Sequence, residues 1–206
     1  MNLKLMLSLL LLAILSSCNT GYQKENGKWV WIQYDSGAGK RVRTIEQHDA
    51  ESFKVLKNKH YAIDKNAVFY LGRKVPFADP NSFTPIKKTG YAKDKKRVFL
   101  DDALVIHADP STFKILEFPF AKDANKIFCG TIPLSIPAEE MASFKVTGSD
   151  KFMASMKTSS MTSHFIKMHP EYEWIDSLNI KVVITGQFAT AETSKRKFKG
   201  VREIKD

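Results

Sequence analysis

Cysteine is nearly missing from this 206-residue sequence: only Cys18 and Cys129 are present. Two cysteines cannot make the disulfide framework on which small secreted domains depend, so the fold must rest on packing. Long apolar runs are missing as well. The longest, Leu5 to Leu15, is broken by Ser8 and followed by Ser16 and Ser17, about half of the roughly twenty residues needed to cross a bilayer core. Catalytic patterns are equally scarce. There is no Gly-x-Ser-x-Gly, no glycine-rich phosphate loop and no Cys-x-x-Cys. His164 and His169 stand five apart, on different helix faces, where a zinc pair needs one face. No metal or cofactor is expected. Acid is short relative to base, with 22 Asp and Glu against 32 Lys and Arg and a formal charge of +10.

What is present begins at the N-terminus. Lys4, the apolar stretch and the small residues after it have the order of a secretory signal. Leu15-Ser16-Ser17-Cys18 resembles the lipobox of bacterial lipoproteins, in which the cysteine is acylated and becomes the new N-terminus. That resemblance implies removal of residues 1–17 and lipidation at Cys18. Acyl chains bury on the order of 0.8 kcal/mol per methylene, so two or more hold a protein on a membrane without a spanning helix. Asn19 is not the aspartate that retains many lipoproteins in the inner membrane. The expected location is the cell envelope, at the outer membrane facing the periplasm if the source is Gram-negative. Loss of the segment removes one lysine and no acid, leaving a mature charge of +9. A surface of that sign suits an acidic protein partner or anionic lipid, and export argues against nucleic acid. Residues 18–27 show no periodicity and read as a flexible tether.

The rest of the chain repeats. Tyr61-Ala-Ile-Asp64-Lys65-Asn66-Ala-Val68-Phe69-Tyr70 aligns without gaps on Tyr91-Ala-Lys-Asp94-Lys95-Lys96-Arg97-Val98-Phe99-Leu100, and again on Phe120-Ala-Lys-Asp123-Ala124-Asn125-Lys-Ile127-Phe128-Cys129. A second half follows, with Ala78-Asp79-Pro80-Asn81-Ser82-Phe83 matching Ala108-Asp109-Pro110-Ser111-Thr112-Phe113. His48 to Phe53 and Ala138 to Phe144 are looser versions of it. The period is about thirty residues, and a fixed period of this size signals stacked supersecondary units.

Each unit translates into local structure. Tyr91 to Lys93 and Val98 to Leu100 are short runs of β-prone residues around a polar turn, a hairpin. The aspartate suits the turn because it accepts local backbone hydrogen bonds. Asp-Pro-x-Ser/Thr-Phe reads as a capped helical turn, and Phe113-Lys-Ile115-Leu116 as a third strand. The expected fold is therefore β-rich, with α+β left open: three to four ββ-turn-β units over residues 28–150. Tyr61, Tyr91 and Phe120 should form one buried ladder, Phe69, Phe99 and Phe128 a second, and Phe83, Phe113 and Phe144 a third. Cys129 occupies a core slot. On this reading Phe99→Ala costs about 3 to 5 kcal/mol and Asp94→Ala about 1.

These residues resemble the DKNYY family, bacterial secreted or lipid-anchored proteins built from Tyr-Ala-x-Asp-Lys-Asn-x-Val-Tyr-Tyr repeats and Ala-Asp-Pro-x-Ser/Thr-Phe segments. Asp64 to Tyr70 is the closest copy. Asp94-Lys95-Lys96 and Asp123-Ala124-Asn125 each depart at one position. The resemblance implies an architecture and supplies no active site. Residues 151–206 read as a non-repeat region, with Phe152 in the tyrosine slot. Met153, Met156, Met161, Phe165 and Met168 suggest a helix, and Ile180 to Thr185 with Lys197 to Ile204 a hairpin.

Two function classes follow. The first is a non-catalytic interaction module, an immunity or inhibitor protein being one form, binding through Lys65, Lys95, Lys96 and Arg97 at successive turns. The second is an envelope enzyme or glycan-binding module with its site in the C-terminal region.

Overall fold

The computed structural model describes residues 20–86, 89–149, 158–160, 166, 167, 169–178, 180–185 and 188–205. Residues 1–19, with the expected signal segment and Cys18, lie outside them. The chain forms two compact units, residues 1–73 and 74–206.

The first unit opens with three antiparallel strands, β1 (Gly21–Glu25), β2 (Lys28–Asp35) and β3 (Gly39–Thr44), in the order β1-β2-β3. Residues 21–25 are thus a paired strand, which corrects the flexible tether expected over 18–27. The cause is Asn26-Gly27, with φ of 50° and 77°. Both residues sit in the left-handed region that a two-residue hairpin turn requires, and Asn-Gly is the pair that adopts it most readily. Tyr22 then packs edge-on against Trp31, ring centroids 5.0 Å apart.

A four-stranded meander follows: β4 (Lys54–Val55), β5 (Tyr61–Ile63), β6 (Val68–Tyr70) and β7 (Arg73–Lys74). Its core joins Ile45, Phe53, Ala62, Ala67 and Phe69, with Tyr22, Trp29 and Val55 against them.

The second unit repeats the meander. One sheet holds β8 (Thr84–Pro85), β9 (Tyr91–Lys93), β10 (Val98–Leu100) and β11 (Ala103–Leu104). The next holds β12 (Lys114–Ile115), β13 (Phe120–Lys122), β14 (Ile127–Cys129) and β15 (Ile132–Pro133). The protein is a β-rich repeat array. Each repeat has one strand more than the sequence suggested, the short fourth strand beyond a tight turn. Those turns use left-handed residues: Leu71 and Gly72 at φ 48° and 74°, Asp101 at 57° and Gly130 at 61°.

The last sheet corrects the C-terminal boundary. It combines β16 (Lys145–Gly148) with β19 (Thr190–Glu192), β20 (Lys197–Lys199) and β21 (Arg202–Ile204) in the order β16-β19-β20-β21. Thr190 pairs with Lys199, Ala191 with Phe198 and Glu192 with Lys197, the register of Tyr91 with Leu100, Ala92 with Phe99 and Lys93 with Val98. Residues 190–204 are therefore a repeat hairpin, entered after an excursion over residues 149–189. The sequence concealed it because Thr190 and Thr193 replace the tyrosine and aspartate of the pattern. Thr190 takes the tyrosine slot of this hairpin, and Phe152, expected in that slot, lies outside the described residues.

The excursion differs from expectation too. β18 (Val182–Ile184) pairs with β17 (Thr158–Ser160), so the runs at 180–185 and 197–204 do not form a hairpin with each other. Met153, Met156, Met161, Phe165 and Met168 lie outside the described residues, and the strand at 158–160 interrupts the helix expected there. Short 3-10 helices cover Ala138–Ser143 and Pro170–Leu178.

The predicted core slots are filled. Tyr61, Tyr91, Phe120, Phe69, Phe99 and Phe128 are fully buried, Phe83 and Phe113 nearly so, as is Phe53, and Phe144 is half-buried. Their contacts alternate between slots. Within a repeat the cap phenylalanine meets the second-strand phenylalanine, as Phe83 with Phe99 and Phe113 with Phe128, at 5.8 and 6.0 Å. Between repeats it meets the preceding first-strand ring, as Phe113 with Tyr91 and Phe144 with Phe120, at 5.3 and 5.6 Å. The cap phenylalanine is the rivet between neighbours, so the rings zigzag where three separate ladders were expected.

Candidate functional site

The residue that defines the turn in each of the first three meanders is an aspartate buried to within a few per cent of complete. Asp94 Oδ1 accepts the N–H groups of Lys96 and Arg97, both at 2.7 Å, and Oδ2 accepts the N–H of Asp79 at 3.0 Å. Asp64 binds Asn66, Ala67 and Asp49 in the same way, and Asp123 binds Asn125, Lys126 and Asp109. A buried carboxylate held by three backbone donors satisfies groups that would otherwise be orphaned. The cap aspartates complete the knot. Asp79 and Asp109 accept the hydroxyls of Ser82 and of Ser111 and Thr112, contacts that hold both carboxyls below the ordinary carboxylate range. The cap hydroxyl in turn accepts from the turn, Ser82 Oγ from the N–H of Lys95 at 3.2 Å and Thr112 Oγ1 from that of Ala124 at 3.1 Å.

The fourth meander keeps this knot with different chemistry. Thr193 Oγ1 accepts from the N–H groups of Lys195 and Arg196 and donates to Glu140 Oε2 at 2.7 Å. The Ser194 N–H donates to Ser143 Oγ at 3.0 Å. A threonine and a distant glutamate together replace one aspartate, with Arg196 Nε 3.4 Å from Glu140 as counter-charge.

These knots present the turn cations to solvent. In the first unit Lys65 Nζ lies 2.8 Å from Asp49 Oδ2, so its charge is matched locally. That contact, with the Ser52 hydroxyl, draws the Asp49 carboxyl well below its ordinary range, and Asp49 raises the Lys65 ammonium. In the second unit Lys95, Lys96 and Arg97 share one turn. Lys95 and Lys96 are exposed, whereas Arg97 donates to the Phe77 carbonyl at 3.0 Å and lies 5.8 Å from the Phe77 ring centroid. Of the four basic residues singled out from the sequence, two are therefore committed locally. Lys195 is an exposed cation of the fourth turn that sequence reasoning missed. The signal was Ser194-Lys195-Arg196, visible only once Ala191 and Phe198 are placed on the repeat.

The excursion over 149–189 is the other departure from regularity. Its strand β18 crosses the third repeat closely: Val183 N–H donates to Thr131 Oγ1 at 3.0 Å, and a Cβ at Gly130 would lie 2.6 Å from the Val183 carbonyl. Lys181 Nζ pairs with Asp102 Oδ1 at 2.9 Å. Tyr172 is buried beneath it, while Trp174 stacks on the His107 ring at 5.5 Å and remains 42 % exposed. Cys129 lies under the same segment, its Sγ 3.8 Å from the Thr185 carbonyl, and burial pushes the thiol up to about 12. It is protonated at neutral pH and unsuited to nucleophilic work.

Among the described residues no three His, Cys, Asp or Glu side chains converge as a metal-holding group, and no helix is long and apolar enough to cross a membrane. A family model matches this chain twice, over residues 31–154 and over residues 69–195, and its description is DKNYY family. The chain belongs to the DKNYY family. The two overlapping matches fit an array that can be aligned in more than one register. The second reaches Lys195, past the excursion, as expected if the last DKNYY unit is split by it. No curated protein and no solved structure matches the chain.

Proposed function

We propose that this chain is a non-catalytic binding module of the cell envelope, anchored by lipid on Cys18 and holding an acidic protein partner through its exposed turn cations. An immunity or inhibitor protein against a periplasmic effector is one concrete form of this role. In a Gram-negative source the anchor sits in the outer membrane and the array faces the periplasm. One observation carries the reading: the residues that recur from repeat to repeat are consumed by the fold. The aromatics fill the core, the turn aspartates hold three backbone N–H groups each, and the cap hydroxyls close the knots. What faces solvent and differs between turns is charge. Insertions in repeat proteins commonly mark the face that binds, and here the excursion adds an exposed tryptophan.

The anchor is tested first. Cys18→Ala should lose incorporated labelled fatty acid and release soluble protein. A variant that stays labelled and membrane-bound removes the anchor from the account.

A second reading, glycan binding, is favoured by the Trp174–His107 stack, because an exposed aromatic face suits a sugar ring. Retention on peptidoglycan that disappears with Trp174→Ala would favour it over a protein partner.

A further inference from the structure

Repetition supplies internal controls. The first and second strands of each meander place one pair of residues in register beside the turn residue, Asp64, Asp94, Asp123 or Thr193. These are Lys54 with Ile63, Thr84 with Lys93, Lys114 with Lys122, and Lys145 with Glu192. Of these four pairs only Lys114 with Lys122 opposes two like charges, an arrangement that costs stability in an isolated sheet. The equivalent lysine of the sheet before, Lys93, is tied down, its Nζ donating to the Pro110 carbonyl at 2.8 Å. Lys122, one repeat on, has no such contact, and among the described residues neither Lys114 nor Lys122 has a side-chain hydrogen-bond or ion-pair partner.

This pair lines a groove of about 560 Å³ between two successive caps, with Ser111 and Thr112 on one side and Met141 and Ala142 on the other. Asp123 is in its wall, yet both its carboxylate oxygens already accept backbone N–H groups. The groove thus offers two cations, hydroxyls and one thioether. That combination suits an extended acidic peptide whose carboxylate bridges the lysines while its aliphatic stem lies on Met141.

We propose that the Lys114–Lys122 groove is the docking site for an acidic segment of the protein partner. The inference deepens the binding-module reading and rests on it.

The test uses the full-length lipidated protein in detergent micelles and a fluorescent hexapeptide of alternating Asp and Glu, followed by anisotropy. Wild-type protein should give saturable binding. Lys114→Ala and Lys122→Ala should each weaken it about three- to fivefold, the upper range for an exposed ion pair. Lys145→Ala, whose cross-strand partner is Glu192, should leave it unchanged. Millimolar inorganic phosphate should not displace the peptide. Thermal midpoints of the two groove variants should be unchanged or raised, because a like-charge pair is relieved. Absence of saturable binding, equal loss in Lys145→Ala, displacement by phosphate, or a lowered midpoint in the groove variants would overturn the proposal. If the groove variants still capture the envelope partner as wild type does, the docking site falls and the binding-module reading stands. If wild-type protein captures none, the reading falls.

Discussion

Asp94 shows how much one side chain can settle. From the sequence it is a turn former worth about 1 kcal/mol, because aspartate beside lysine is read as solvent-facing. In the structure it is buried with three backbone donors, two of them at 2.7 Å. Its removal leaves all three unpaired, and charge-assisted bonds of this kind contribute about 1.5 to 3 kcal/mol even singly. Asp94→Ala should therefore cost about 2 to 4 kcal/mol, comparable to the 3 to 5 kcal/mol expected for Phe99→Ala. Urea unfolding of the two variants decides: a loss near 1 kcal/mol at Asp94 would mean that water replaces the knot. The burial of Phe99 was legible because an aromatic ring that returns at the same slot of every unit is what a shared core requires. The burial of Asp94 was not, since one of its donors comes from a cap fifteen residues upstream.

The cap carboxylates give the knots a pH dependence. Asp49, Asp79 and Asp109 are all held below the ordinary carboxylate range. The folded state thus binds fewer protons than the unfolded state, and the stability from these groups is complete above the unfolded value of about 3.9 and lost as pH falls below it. Unfolding free energy should be flat from about pH 7 to 5 and decline toward about pH 3, with Asp79→Asn showing a shallower decline. An identical acid slope in Asp79→Asn would place the titration elsewhere.

At the scale of elements, hairpins were legible and the turns that lengthen them were less so. Asn26-Gly27 carried a clear signal, which the reading of residues 18–27 as a tether masked. The fourth strands were invisible because two-residue strands have no periodicity. Gly130 marks one of these junctions, and it is constrained twice. Its φ is 61°, and a Cβ there would meet the Val183 carbonyl at 2.6 Å. Gly27 has φ of 77° with nothing within 4 Å of an added Cβ. Gly27→Ala should cost only the backbone strain, about 1 kcal/mol. Gly130→Ala should cost about 2 to 4 kcal/mol, because β18 must also move. Equal midpoints by thermal unfolding would mean that the excursion does not rest on the third repeat.

At the scale of the whole molecule, the array, its period and its family were readable from residues 45 to 150, whereas the split last repeat was not. Its hairpin lost both defining side chains, and the glutamate that with Thr193 replaces the aspartate, Glu140, lies 53 residues from Thr193. Such a substitution can be seen only in three dimensions. The same knowledge sharpens the charge prediction. Lys65 and Arg97 are engaged with Asp49 and with Phe77, so reversing them would disturb the fold. Lys95, Lys96 and Lys195 are the exposed turn cations whose reversal isolates binding. Exposed charges act over about 8 Å at physiological salt and govern association rate more than stability. The direct measurement is capture of a stoichiometric partner from solubilised envelope membranes by the wild-type protein and by Lys95→Glu/Lys96→Glu/Lys195→Glu. Wild-type protein should hold one protein in a salt-sensitive manner, and the triple variant, with an unchanged thermal midpoint, should lose it. A partner held equally by both proteins and at high salt would contradict binding through the turns.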